Sequence, residues 1–273
     1  MKSRRTFPRL SLILASALLA SCATQPPNHT GNPPPDVLML GERHDAPGQM
    51  ALVADELQRL SAQGRLAALA IEMAPAGTTT AALPRDAAAP AIRKALTWND
   101  KAWPWDRYAG PITVAVSAGV PVVGANLPQD QIKTAMEDVS LDAQVSDATR
   151  ARLAAAIREG HCGLMPENRI EPMVRVQIAR DRSMAHTLAE STVAGRTAVL
   201  LAGSGHTDRE QGVLQHLPTQ LTVRSIALVA QGDRPSGHFD TTWATPMARA
   251  GDPCAALALQ MTDKPDRTGN SRR

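Results

Sequence analysis

The chain has 273 residues, 43% of them hydrophobic and 20% charged, which excludes wholesale disorder and leaves room for one or two packed domains. Aromatics make up only 3% (four Trp, two Phe and one Tyr, Tyr108), so the core is aliphatic and a nucleic-acid platform of stacked rings is excluded. The formal charge of +3 belongs to the ends: with Lys2, Arg4, Arg5 and Arg9 set aside, 25 basic residues face 26 acidic ones, and four more basic residues lie in the last ten positions. No basic stripe remains to follow phosphates, so nucleic acid is not an expected partner.

Residues 1–22 read as a secretory signal, with a charged stretch to Arg9 and an apolar run, Leu10–Ala20, too short to span a bilayer. It ends in Leu19-Ala20-Ser21-Cys22, which resembles the bacterial lipobox and makes Cys22 the expected lipidated residue, of the palmitate-bearing kind. Ala23 follows in place of the Asp that retains lipoproteins at the inner membrane, so the outer membrane is the expected location, with the body on either face. Residues 23–36 are a Pro-rich tether. Export places Cys162 and Cys254 in an oxidising compartment, where they form either a disulfide or two buried thiols.

Beyond the tether, apolar runs at Val37–Leu40, Leu66–Ile71, Val120–Gly124, Ala198–Ala202, Val223–Ala230 and Phe239–Thr242 read as strands, mostly continuous, as in sheets covered on both faces. Helical patterns lie between them at 48–63, 106–118 and 207–216, the last opening with a capping box, Thr207-x-x-Glu210; the Ala-rich stretch 81–95 reads as a surface helix. Residues 127–194 hold no strand pattern but read as three or four helices, at 129–138, 147–159 and 170–191. The expectation is an α/β fold: a mostly parallel sheet flanked by helices, formed by 37–126 and 195–250, with a smaller inserted all-helical subdomain at 127–194 and a C-terminal segment and tail at 251–273.

Three strand patterns run into polar residues: Gly41-Glu42-Arg43-His44 after the first, Glu72 after the second, and Gly203-Ser204-Gly205-His206 after Ala198–Ala202. Ligands of open parallel sheets bind beyond the carboxyl ends of strands, so Glu42, His44, Glu72 and His206 are expected to converge there. Two carboxylates and two imidazoles suit a divalent metal, acid–base catalysis or ligand hydrogen bonding, and each alone also reads as a structural cap. No Lys-Ser/Thr follows the glycines and no Gly-x-Ser-x-Gly elbow occurs, which disfavours a nucleotide phosphate loop and a serine hydrolase. In helix 170–191, Gln177 and Asp181 interrupt the apolar stripe, so an interdomain polar network or a ligand-facing Asp181 is expected, with Arg180 turned toward a carboxylate elsewhere. Tyr108 shares a helix face with Ile112 and Ala115 and reads first as a core residue with its hydroxyl bonded.

At these residues the sequence resembles the ChaN family of haem-binding lipoproteins, within a superfamily that includes Tiki proteases and erythromycin-esterase-like enzymes. The matching blocks are LMLGERHD (ending at Asp45), Glu72, WPWDRY (103–108), VVGANLP (122–128), HCGLMPE (161–167), MVRVQIARDRSMA (173–185), LLAGSGHTDREQGVL (200–214) and FDTTWATP (239–246), in order. The resemblance implies haem as cofactor, bound where two copies meet in a haem-linked homodimer, and a role in haem and iron uptake with an outer-membrane haem receptor as partner. It also implies a tyrosine as axial iron ligand, which here leaves Tyr108; His161 and His206 become candidates for propionates or a second ligand, with Met165, Met173, Met184 and Arg180 as lining. The alternative it implies is a hydrolase using Glu42, His44, Glu72 and His206, metal-dependent through His44, Glu72 and His206 or working through histidine alone; a binding protein without catalysis is the first expectation.

Overall fold

The computed structural model describes residues 34–44, 46, 48–245 and 254. The expected signal peptide with Cys22, most of the tether, and the tail apart from Cys254 lie outside them.

Six strands form one all-parallel sheet: β1 (Val37–Glu42), β2 (Leu66–Pro75), β3 (Val122–Asn126), β4 (Thr197–Gly203), β5 (Val223–Ala230) and β6 (Thr241–Thr245), in the order β3-β2-β4-β1-β5-β6. Every residue of β1 and β4 is buried, which is why these strands read as continuous apolar runs rather than alternating ones. One face carries Leu38, Leu40, Leu69 and Ile71 against α1 (Gln49–Ala62), α2 (Ala89–Ala95) and α3 (Trp105–Ser117). The other carries Val37, Met39, Ala70, Ala198 and Leu200 against the second half of a long helix.

Residues between β3 and β4 fold as helices: α4 (Ile132–Glu137), α5 (Asp147–Gly160) and α6 (Ile170–Glu190), with 3-10 turns between them. Ser146 starts α5, its hydroxyl accepting the amide of Thr149 at 3.1 Å. Leu141, Leu153, Ile157, Ile170, Val174 and Ile178 form a separate small core there. Met184, Ala185 and Leu188, farther along α6, pack on the sheet instead, so one helix belongs to both cores. Cys162, just after α5, is disulfide-bonded to Cys254, with Cα atoms 5.6 Å apart. Among the described residues no helix is long and apolar enough to cross a membrane.

Several boundaries differ from the sequence expectation. The strands at 37 and 66 run on through Glu42 and Glu72, so both carboxylates sit inside strands; β3 and β6 start at Val122 and Thr241, not Val120 and Phe239. The surface helix at 81–95 reduces to α2, because Pro84 lies in a preceding turn and Pro90 fits only the first turn of a helix. The helix expected at 207–216 does not form. Four residues, α7 (Ser204–Thr207), end at Asp208, whose carboxylate takes the amide of Glu210 at 2.8 Å, and a 3-10 turn follows at 213–216. Gly212 lies so close to the carbonyl of His206 that a side chain there would collide with it.

Candidate functional site

β1 and β4 are neighbours, yet the chain leaves β1 toward β2 on one side and leaves β4 toward β5 on the other. In open parallel sheets such a reversal is where a ligand crevice forms, beyond the carboxyl ends of the two strands. Glu42 ends β1 on the face of Leu38 and Leu40; Glu72, on β2, shares the opposite face with Ala70. His44, just past β1, joins the two faces: its Nδ1 lies 2.5 Å from Glu42 Oε1 and its Nε2 3.9 Å from Glu72 Oε2.

On the α3 face, the Tyr108 hydroxyl donates to the same Glu42 Oε1 at 2.9 Å, with Tyr108 only 1% exposed. Four of the seven aromatic residues of the chain lie between positions 98 and 108, and they meet here. Trp98 and Trp103 stand 5.9 and 6.1 Å from the Tyr108 ring, Trp105 packs edge-on against Trp98, and Trp103 packs edge-on against His44 at 4.8 Å. Burial, and after it the charge and hydrogen bond of Glu42, push the Tyr108 phenol far above its ordinary value, so it is held as a protonated donor.

On the α6 face, Glu72 Oε2 accepts the backbone amide of Gly203 at 2.8 Å, and Glu72 Oε1 faces His206 Nε2 at 3.6 Å. His206 Nδ1 is paired with Asp181 Oδ1 of α6 at 2.7 Å, which accounts for Asp181 within the apolar stripe of that helix. The Asn126 side-chain amide donates to the Glu72 carbonyl at 2.9 Å. Burial alone would raise the Glu72 carboxyl, but the charges of His206 and His44 outweigh it and hold Glu72 below the usual carboxylate range. Burial prevails at Asp181, lifting it to about 6. For both imidazoles burial opposes protonation, and neighbouring carboxylates outweigh it: Asp181 and Glu72 at His206, Glu42 and Glu72 at His44. Both therefore sit above the ordinary histidine value.

The structure thus brings Glu42, His44, Glu72 and His206 together, with Tyr108 and Asp181 at the two ends of the chain of contacts. Arg180 lies near enough for its charge to act on Glu72, Asp181 and His206, and its buried Nε has no hydrogen-bond partner among the described residues. His161 and Met165 lie elsewhere: His161 Nδ1 is bonded to the Ile157 carbonyl at 2.8 Å, and Met165 packs on the small helical core. Met173 packs there too, and Met184 is buried under the sheet. Trp98, Trp103 and Gly203 also border the site and are not among the residues expected there from sequence. The crowding of aromatics into 98–108 was the available signal for the tryptophans.

As a donor set, the cluster is one of paired acids and bases. Among the described residues no group of three or more His, Cys, Asp or Glu is arranged to hold a metal ion. Two further features mark the cluster. Among the described residues Glu42 Oε2 is buried without a partner, and the carboxylate's hydrogen bonds there run through Oε1, to Tyr108 and His44. At Gly203 a Cβ would come within 3.0 Å of His44 Nε2, so the imidazole packs directly against the glycine backbone.

A comparison with curated proteins finds no significant match. Among solved structures, ChaN of Campylobacter jejuni, determined with cofacial haem, matches with a TM-score of 0.62 at 24% identity, over 76% of this chain and 86% of that one. A Bacillus cereus protein matches with a TM-score of 0.38 at 13% identity, over 71% of this chain and 65% of its own. The first likeness shows the fold. The family model described as haem-binding uptake, Tiki superfamily, ChaN matches residues 34–217, and the chain belongs to that family.

Proposed function

We propose that this chain is an exported lipoprotein that binds haem at the carboxyl edge of its sheet and serves haem and iron uptake. The observation that carries the reading is its membership of the haem-binding ChaN family, matched over 34–217. The crevice adds chemical support: an imidazole with 42% of its side chain exposed lies beside Trp103, an aromatic wall of the kind a flat porphyrin packs against. When bound, haem supplies the iron centre; the protein supplies an iron ligand, an apolar wall and the fixed carboxylates behind them. Anchoring through Cys22, residence at the outer membrane, a haem-linked homodimer and handover to or from an outer-membrane haem receptor complete the proposal.

A tyrosine ligand, as the family resemblance implies, has one source in this chain, Tyr108. To reach iron the phenol would have to leave Glu42 and lose its proton, leaving a buried carboxylate short of a donor at a cost of about 1–3 kcal/mol.

One arrangement favours a second reading. His206, backed by Asp181 at 2.7 Å and facing Glu72 at 3.6 Å, is an oriented imidazole of the kind that serves as a general base. The two readings part on one preparation. The full chain, purified from membranes of cells fed labelled palmitate, carries both label and haem in the first, and the label is lost in Cys22→Ser. In the second, haem-free protein cleaves esters or amides and His206→Ala abolishes the activity. Protein with neither label nor haem overturns the first reading.

A further inference from the structure

The amino ends of the strands, at the pole opposite the acid–base cluster, hold a second concavity. A cavity of about 60 Å³ lies there between the end of α1 and the starts of β1, β4 and β5, with Leu38, Leu60 and Ile226 as its apolar floor. That is several times the roughly 10–15 Å³ that admits one water, and far too small for a macrocycle.

The polar groups around it divide into spent and unspent. Arg59, in the last turn of α1, closes on Glu56 with hydrogen bonds of 2.7 and 2.6 Å to its two carboxylate oxygens. Glu56 is the one acid lining the cavity among the described residues, so that pair is neutral and complete. Thr197 donates its hydroxyl to the Pro35 carbonyl at 2.7 Å, which pins the chain entering β1 against the rim. Trp243, on β6, is 6% exposed, and its indole Nε1 is buried with no acceptor among the described residues. Arg224 stands opposite Leu38 in the sheet register, two residues before Ile226 on β5, so its stem lies on the α1 face with them. Neither Arg224 nor Arg65, exposed just before β2, has a side-chain hydrogen bond or ion pair among the described residues.

A buried indole N–H without an acceptor is costly, and every unspent group here can only donate: neither an indole nor a guanidinium accepts. Two guanidiniums without a counter-charge stand beside it. One occupant satisfies all three, an anion with several acceptor oxygens. A phosphate group suits them better than a carboxylate, because it carries nearly two negative charges near neutral pH, offers three acceptor oxygens and matches the arginine fork.

We propose that this cavity is a phosphate-binding site, in which Arg65 and Arg224 hold the anion and the Trp243 indole donates to one of its oxygens. The phosphate is free or is the headgroup of a lipid, which presents the same oxygens. The site is separate from the crevice assigned to haem and does not depend on it.

The test uses isotope-labelled full-length protein titrated with inorganic phosphate, read by its indole N–H resonances and its melting temperature. The Trp243 resonance, identified by its loss in Trp243→Phe, should shift saturably. The melting temperature should rise with phosphate, because a ligand of the folded state alone stabilises it. Arg65→Gln, Arg224→Gln and Trp243→Phe should each weaken binding by roughly 10–100-fold, the scale of one hydrogen bond to a charged group. Monomeric dihexanoyl phosphatidic acid, titrated in parallel, separates the sources: tighter binding than phosphate assigns a lipid headgroup, weaker binding assigns free phosphate, and both uphold the site. A Trp243 resonance that does not move, a shift unchanged in both arginine variants, or acetate binding as tightly as phosphate would overturn the proposal.

Discussion

Tyr108 and Glu42, 66 residues apart in the chain, meet through one hydrogen bond of 2.9 Å with both side chains buried. That bond ties α3 to the end of β1 and fixes the crevice from behind. Tyr108→Phe removes the donor and keeps the ring, so the folded protein should lose about 1–3 kcal/mol, the cost of leaving a buried acceptor short. In the Glu42→Gln background the same substitution should cost less, since the charged acceptor is already gone. Urea denaturation of the two single variants and the double variant measures the coupling; strict additivity would show that the bond contributes nothing.

Gly203 and Gly124 look alike in sequence and should respond differently to alanine. At Gly124 a Cβ would run into the carbonyl oxygen of Pro75, which is backbone and cannot step aside. Overpacking of that sort costs typically about 1–3 kcal/mol, occasionally more. At Gly203 the Cβ would lie 3.0 Å from His44 Nε2, the end of a half-exposed side chain that can yield by a few tenths of an ångström. Gly203→Ala should therefore change the melting temperature little and weaken haem binding, whereas Gly124→Ala should lower the melting temperature clearly. Thermal denaturation and haem titration of both variants give the comparison.

The Cys162–Cys254 disulfide encloses a sequence separation of 92 residues. On the chain-entropy account, closing such a loop is worth roughly 4–5 kcal/mol, with native strain able to reduce it. Cys162→Ser should lower the denaturation midpoint in oxidising buffer, and reductant should bring the unaltered protein down to the same value. Equal midpoints with and without reductant would contradict this.

His216 gives a pH dependence with a definite sign. Burial, and after it the charge of Arg182, hold its imidazole down at about 4 against an ordinary 6.5, and its Nε2 is buried without a hydrogen-bond partner among the described residues. The unfolded chain takes up the proton first, so this contribution to stability is full above pH 6.5 and is lost as pH falls from 6.5 toward 4. His216→Gln cannot take up that proton. Across this window its stability should fall less steeply than that of the unaltered protein, as read by urea midpoints in a pH series.

Much of the site was legible because it follows from sheet physics. Continuous apolar strands imply a parallel sheet, ligands of parallel sheets gather beyond the strand ends, and Glu42, His44, Glu72 and His206 stand at such ends. The side of the sheet each residue would take was not legible. Glu42 and Glu72 face opposite layers, and His44 joins them only because the chain turns over the edge just there. Asp181 stood out as a polar break in an apolar stripe, but its partner His206 is brought to it by tertiary packing, which a helix pattern does not encode. The capping-box pattern at Thr207 failed for a related reason. Its hydroxyl donates back to the Ser204 carbonyl, and Asp208 caps Glu210 in its place. His161 and Met165 lie inside a block resembling the family, and such a block fixes order along the chain but not proximity in space.

The most direct measurement is titration of the purified full-length protein with ferric haem, following the Soret band together with tryptophan emission. Binding at the carboxyl edge predicts a saturable Soret shift at micromolar haem, with quenching that is markedly reduced in Trp103→Leu because that indole borders His44. No saturable shift, or quenching unchanged by loss of Trp103, would contradict the assignment of this crevice as the haem site.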